Sequence, residues 1–445
     1  MKTVLTITLF TITLFFISLS FCNSQSNKIL TRNTALGNTR VQDTRSQFIL
    51  LNPGFFVPDG NYYSALIDPN WSGIDTVFSP LPGHVFQRSN ETLTPIPIRG
   101  TVFGSVDTVV VKAISYESQV LYEKKVYVNP VNNEFSTTWS LPAGDYAWSF
   151  KPKNGVNSKE VNIERAGIGE VFVAWGHSYM QGPGIGQDAT DPRSRTVKNS
   201  FIESFDDPNG LFRNVSALPI IFEKITATNL GPFQSSSWIF GALADSLVKK
   251  LQMPVLIYSA AFGGSNIYQN RQNIVNEPFG YTWFGGGVLQ ENGFPFKVMS
   301  VTFQRYIPIT GVRAIWIHHG LNDHGTASNG GNVFNFKSNF KTVINQIRNM
   351  EAGGFPVALF LTKEDVQYTD INQQIEALIQ DETAIYRGLD LTNPEMVGPW
   401  RDNNPGGVGR GHFIGTAGLK QYLKGWHAAL HPLNWTDYPP LLWKK

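Results

Sequence analysis

Cysteine is almost absent from this 445-residue chain; the one copy, Cys22, ends an apolar N-terminal run. A disulfide framework and zinc sites built on cysteine pairs are thereby excluded. Charge is also scarce. Asp, Glu, Lys and Arg together make up 16% of residues, against roughly 25% in an ordinary soluble protein. The formal net charge is only +2 and no basic block is interleaved with aromatics, which argues against nucleic acid as a partner. No H-E-x-x-H helix occurs, so no metal or other cofactor is expected. No internal repeat or low-complexity tract stands out.

What the chain does have is apolar material, 42% hydrophobic and 13% aromatic residues, enough for two or three domains. A surface poor in charge must rely on Asn, Ser, Thr and Gly, a habit of secreted proteins that meet carbohydrate. The N-terminus agrees. Lys2, an apolar run over 4–21 and small polar residues after it have the layout of a secretory signal peptide over 1–24. The expectation is a secreted, periplasmic or cell-envelope protein with no stable membrane insertion after cleavage. The run is also marginally long enough for a retained anchor. Residues 25–47 are polar and weakly patterned, a flexible mature N-terminus.

From 48 to 166 short apolar or alternating runs over 108–116, 123–130, 135–141 and 144–152 are separated by Asn-, Gly- and Pro-rich turns. That spacing predicts a small β-sandwich domain. From 167 to 445 the pattern changes to strands over 170–176, 255–261, 312–317 and 357–362. Helices are predicted between and after them, over 237–251, 297–306, 333–350, 371–386 and 416–430. Such alternation predicts an α/β domain, a parallel sheet in a three-layer α/β/α arrangement with ligands at the carboxyl ends of its strands.

Polar motifs follow three of these strands: "WGHSYMQG" with Ser178, "YSAAFGGSNI" with Gly263 and Gly264, and "IWIHHGLNDHG" with Asn322. A fourth, "GRGHF" with His412, opens the last helix. Loops after parallel strands share one edge, so these residues can meet. A serine hydroxyl is a weak nucleophile until a base takes its proton, and the tetrahedral intermediate needs donors for its oxyanion. Ser178 is the candidate nucleophile and His412 the base. The backbone N–H groups of Ser178 and Gly264 and the Asn322 amide are the candidate oxyanion hole. Taken alone, each motif is an ordinary turn; their order on one sheet edge makes them a site. His177, His319, Arg271 and Trp283 are candidate substrate contacts. Asp323 reads as a structural hydrogen-bonding partner.

The order GxS, GGS, GxND and a late HF resembles the SGNH (GDSL-like) hydrolases over about 169–430. Within them it is most similar to the sialate O-acetylesterase and acetylxylan esterase branch. Residues 48–166 likewise resemble Ig-like accessory modules of bacterial carbohydrate esterases. The resemblance implies a serine esterase that removes O-acetyl groups from a glycan or oligosaccharide without a cofactor. It puts the nucleophile at Ser178, the base at His412, and oxyanion donors at Gly263 or Gly264 and at Asn322. It departs from the pattern at His177 and Tyr179, where the branch has Gln and Asn. It departs again at Gly409, where an acid should orient the histidine. Asp402, in "WRDNNPGG", is the nearest replacement; otherwise a backbone carbonyl would serve. Gly409 leaves open a non-catalytic carbohydrate-binding protein on a degenerate scaffold. Five motif histidines (His177, His318, His319, His324, His412) leave open a metal-assisted hydrolase.

Overall fold

The computed structural model describes residues 72–153, 158–182, 184, 186–199, 215–277, 293–324, 333–351, 356–403 and 409–444. It also pairs Val4–Ile7 antiparallel with Tyr63–Leu66. The expectations for 1–24 and 25–47 otherwise lie outside the described residues, as does Trp283.

The N-terminal part is built of antiparallel strands. Ser72–Ser79 pairs with Thr94–Phe103, then Glu134–Leu141, Leu121–Asn129, Thr108–Ser115 and Gly144–Pro152 follow in spatial order. In Thr94–Phe103 one set of alternate residues is buried throughout while the other stays partly or fully accessible, the period of two that a one-sided strand requires. Ile74, Ile96, Ile98, Val109, Val111, Trp148 and Phe150 belong to its core.

The C-terminal part is a mixed α/β structure with a large central sheet flanked by helices. Ser194–Val197, Val255–Ser259, Val161–Gly176, Ala314–His318, Ala358–Lys363 and Ile385–Asp390 lie side by side, all parallel. The short strand Phe222–Lys224 adds an antiparallel edge. Chain order reverses around the first strand, which sits between the third and the fourth. That makes its carboxyl end a switch point, where loops diverge and leave a crevice. Helix Phe240–Leu251 packs with Gly415–Leu430, and Ile267–Val275 with Phe336–Met350.

The boundary expected at 166/167 falls inside one continuous strand. Val161–Gly176 pairs with Gly144–Pro152 through its first half and with Val255–Ser259 and Ala314–His318 through its second. Two glycines permit the crossing: a Cβ on Gly169 would lie 1.9 Å from the Pro254 carbonyl oxygen, and one on Gly167 2.7 Å from that of Gly144. Buried ion pairs lock the junction. Glu170 meets Arg313 at 2.8 Å, and Asp145 meets Arg195 at 2.8 Å, every one of these side chains out of solvent. Glu170→Ala strands the Arg313 guanidinium, so unfolding in urea should show a loss of about 3–5 kcal/mol. Equal urea midpoints for variant and parent would remove the junction pair from the account of stability.

His84 supplies a second stability test. Its ring is buried against Phe86 and Phe222, and Nε2 bonds the Ile309 carbonyl at 3.1 Å. Burial pushes its pKa from 6.5 down to about 3. The unfolded ring takes a proton below its ordinary value while the folded ring does not. Stability is therefore present above 6.5 and is lost as pH falls toward 3. At pH 5 the loss is about 2 kcal/mol from this ring alone. In His84→Phe, the urea midpoint should fall less between pH 7 and 5 than in the parent; an unchanged slope contradicts the assignment.

Candidate active site

Gly176 ends the central strand at φ 159°, where a Cβ would lie 2.4 Å from the His318 carbonyl oxygen. The chain then turns. His177 caps a single helical turn, Ser178–Gln181, and its side chain accepts from Tyr179 N–H. Tyr179 and Met180 are buried, which leaves Ser178 facing the crevice edge, partly exposed.

His412 arrives from the far end of the chain. Its Nε2 lies 2.9 Å from Ser178 Oγ, and its Nδ1 3.4 Å from Asp402 Oδ2. The distance from Asp402 is fixed by backbone pairing. Asp402 N–H donates to the His412 carbonyl at 2.9 Å, and His412 N–H to Asp402 Oδ1 at 2.8 Å. Arg401, beside Asp402, pairs bidentately with Asp365 at 2.8 and 3.0 Å and donates to the Gly411 carbonyl at 2.7 Å. It is buried and its guanidinium lies 4.7 Å from the Phe413 ring centre, so it braces both sides of the His412 loop. Sequence reasoning passes over Arg401; a charged residue next to the candidate acid is its only signal.

Gly409, where the resemblance expects an acid, has φ +63°, and a Cβ there would sit 2.9 Å from the Gly398 carbonyl oxygen. Its N–H donates to Asn403 Oδ1 at 3.1 Å. The backbone admits no ordinary side chain at 409 without strain, and it is the Asp402 carboxylate that lies beside the His412 ring.

The two remaining loops are stitched to each other. Asn322 Nδ2 donates to the Ser265 carbonyl at 2.9 Å. Asp323 accepts from Ile267 N–H at 3.0 Å and from Tyr268 N–H at 3.2 Å. Its carboxylate is thereby committed to the loop and not to His412; burial raises its pKa to about 7 against the pull of those backbone donors. Of the glycines, Gly263 abuts Ser178: a Cβ on it would lie 4.0 Å from Ser178 Cβ, and its N–H donates to Gln181 Oε1 at 2.6 Å. Gly264 is the next residue along, at φ +73°.

The expected substrate contacts fare differently. His177 and His319 are buried, so neither lines an open pocket. His319 packs 4.7 Å from the Trp175 ring, with no hydrogen-bond partner on either nitrogen among the described residues. Alternation along a strand is expected to turn one of His318 and His319 outward. The strand is central and its end is roofed by Tyr422 and Trp175, so both are enclosed. Burial pushes His318 down to about 4 and His319 well below 6.5. Arg271 pairs with Glu277 near the end of its own helix.

The sequence matches no family model and no curated protein. Solved structures overlap it in part. A carbohydrate acetylesterase from Xanthomonas citri is 16% identical over 80% of this chain and 75% of that one, with a TM-score of 0.47. A protein from Arabidopsis thaliana is 12% identical over 59% and 98%, with a TM-score of 0.36. A carbohydrate esterase whose active site is described as having divergent catalytic and non-catalytic binding functions is 12% identical over 72% and 88%, at 0.26. At such low identity and overlap, what this site can do follows from its own atoms.

Proposed function

We propose that this chain is a serine esterase that removes O-acetyl groups from a carbohydrate. The observation that carries the reading is Ser178 Oγ at 2.9 Å from His412 Nε2, with Asp402 on the opposite ring nitrogen. His412 takes the hydroxyl proton as Ser178 Oγ attacks the acetyl carbonyl carbon. The oxyanion is met by backbone N–H groups of the Ser178 turn and the glycine loop and by the Asn322 amide. Gly263 N–H is held by Gln181, so an acyl oxygen entering there competes with that side chain. Collapse expels the sugar oxygen, which receives the proton from His412. Water then attacks the acyl-serine with His412 as base, releasing acetate. Asp402 keeps the Nδ1 proton in place and stabilises the imidazolium.

The motive for a binding-only protein is a missing acid at 409, and Asp402 supplies one. The signal-peptide layout of 1–24 supports export as part of the same proposal; N-terminal sequencing of the mature protein beginning near residue 25 is the result expected. Turnover of p-nitrophenyl acetate should show a burst of p-nitrophenol of about one equivalent, with EDTA without effect. Acetate release from an acetylated oligosaccharide should depend on Ser178. Activity abolished by the chelator would instead favour metal-assisted hydrolysis.

A further inference from the structure

Behind Ser178 lies a closed group of side chains that the mechanism above does not use. Glu364 follows the strand Ala358–Lys363 and is buried, as are His177 and His318. One carboxylate oxygen, Oε1, accepts the Leu321 N–H at 3.0 Å. The same oxygen faces His177 Nε2 at 4.0 Å, and Oε2 faces His318 Nε2 at 3.6 Å. Among the described residues, His177 Nε2, His318 Nε2 and Glu364 Oε2 make no hydrogen bond within about 3.5 Å, so the facing contacts are electrostatic and just beyond hydrogen-bond length. Buried polar atoms must satisfy one another or remain a cost to the fold.

These three residues also have the composition of a metal site, their ligand atoms lying within 4.8 Å of one another. The other nitrogen of the His177 ring argues against it. His177 Nδ1 accepts from Tyr179 N–H, and His318 Nδ1 lies 2.7 Å from the Tyr422 hydroxyl. Because His177 Nδ1 accepts from an N–H, that imidazole carries its proton on Nε2, where a metal would need a lone pair; the Tyr422 hydroxyl beside His318 Nδ1 can donate or accept. The group is a carboxylate faced by the His177 Nε2–H and by the second buried imidazole of His318. Burial works against the Glu364 anion, yet the facing imidazoles hold its pKa below the ordinary carboxylate value.

We propose that Glu364 is a positioning residue that joins the Ser178 turn, through His177, to the Asn322 turn, through the Leu321 N–H. The inference rests on the esterase reading. His177 is the residue before the nucleophile and caps its helical turn; Leu321 is the residue before the oxyanion amide. One carboxylate thus sets the register between the attacking atom and the donor of charge stabilisation, where errors of an ångström lower the rate steeply. Gly320 makes room for it: a Cβ there would lie 2.9 Å from Glu364 Cγ and 3.0 Å from Oε1.

Glu364→Gln keeps an acceptor for Leu321 but offers an NH2 to the His177 ring, which also presents N–H. The full chain should stay folded by circular dichroism. Its kcat on p-nitrophenyl acetate should fall about 10- to 100-fold, the usual cost of losing an outer supporting group, with KM within about threefold. The rate of Ser178 labelling by a fluorophosphonate should fall in parallel. His177→Gln should lose a similar factor. The double variant should be no slower than the slower single, because the two introduced amides can hydrogen-bond each other. A folded Glu364→Gln with parental kcat overturns the proposal, as does multiplication of the two effects. Should Glu364→Gln fail to fold, His177→Gln decides: unchanged kcat overturns it. One equivalent of metal per chain by elemental analysis also overturns it, since the residues would then be ligands. A parent with no Ser178-dependent turnover or labelling sinks the esterase reading and this one together. An active parent matched by Glu364→Gln sinks this one alone.

Discussion

His412→Ala should reduce kcat on p-nitrophenyl acetate by on the order of 10⁶-fold, and Ser178→Ala by a similar factor. The two residues act as one unit across a 2.9 Å contact. Without the imidazole, the hydroxyl must lose its proton to water. Without the hydroxyl, the imidazole has nothing to activate. The double variant should therefore be little slower than either single one, at the residual rate that the oxyanion donors alone sustain. The measurement is kcat for the two single variants and the double, with circular dichroism to show that each is folded. Ser178 is partly exposed and, among the described residues, its hydroxyl bonds only His412, so its truncation is structurally mild. Retention of more than about a hundredth of parental kcat in Ser178→Ala cannot be reconciled with covalent catalysis at this atom.

Much of this arrangement is legible in the sequence because it depends on short-range signals. Apolar runs mark the parallel strands, and polar glycine-containing turns mark their carboxyl ends. What escapes reading depends on contacts between distant segments. The helix expected over 371–386 is in fact Thr369–Asp381 followed by the strand Ile385–Asp390. The turn between them is made by Ala384 at φ 58°, a residue that carries no turn signature. The helix Ile267–Val275 is hidden because its apolar periodicity is weak; a capping box at Asn266 and Gln269 and the Asp323 carboxylate on its first N–H groups hold it instead. Glu364 lies two residues past the strand expected over 357–362 and carries no motif of its own; only the sheet order brings it under His177. The buried histidines mislead for the same reason: alternation tells which way a side chain points, not what covers it.

Asp402→Asn should lower kcat by about 10⁴-fold, less than the loss of His412, while KM changes little. The amide would preserve the shape of the contact with Nδ1 at 3.4 Å but remove the charge that stabilises the imidazolium, and it would permit the wrong tautomer. The loop itself should survive, because the Asp402 N–H bond to the His412 carbonyl and the Gly411 N–H bond to the Asp402 carbonyl are backbone contacts. The informative companion is Gly409→Asp, which restores an acid where the resemblance expects one. Were the acid's place in sequence what mattered, Asp402→Asn with Gly409→Asp would regain activity. The structure predicts the reverse. Position 409 is held at φ +63° with its Cβ direction 2.9 Å from the Gly398 carbonyl oxygen, so the new side chain costs about 1–3 kcal/mol of strain. The double variant should be no more active than Asp402→Asn and should melt below it. Recovery of activity in that double variant would transfer the orienting role from Asp402 to 409. In this chain the acid's position follows from backbone geometry: the pairing of 401–402 with 411–413 leaves Asp402, and not residue 409, beside the imidazole.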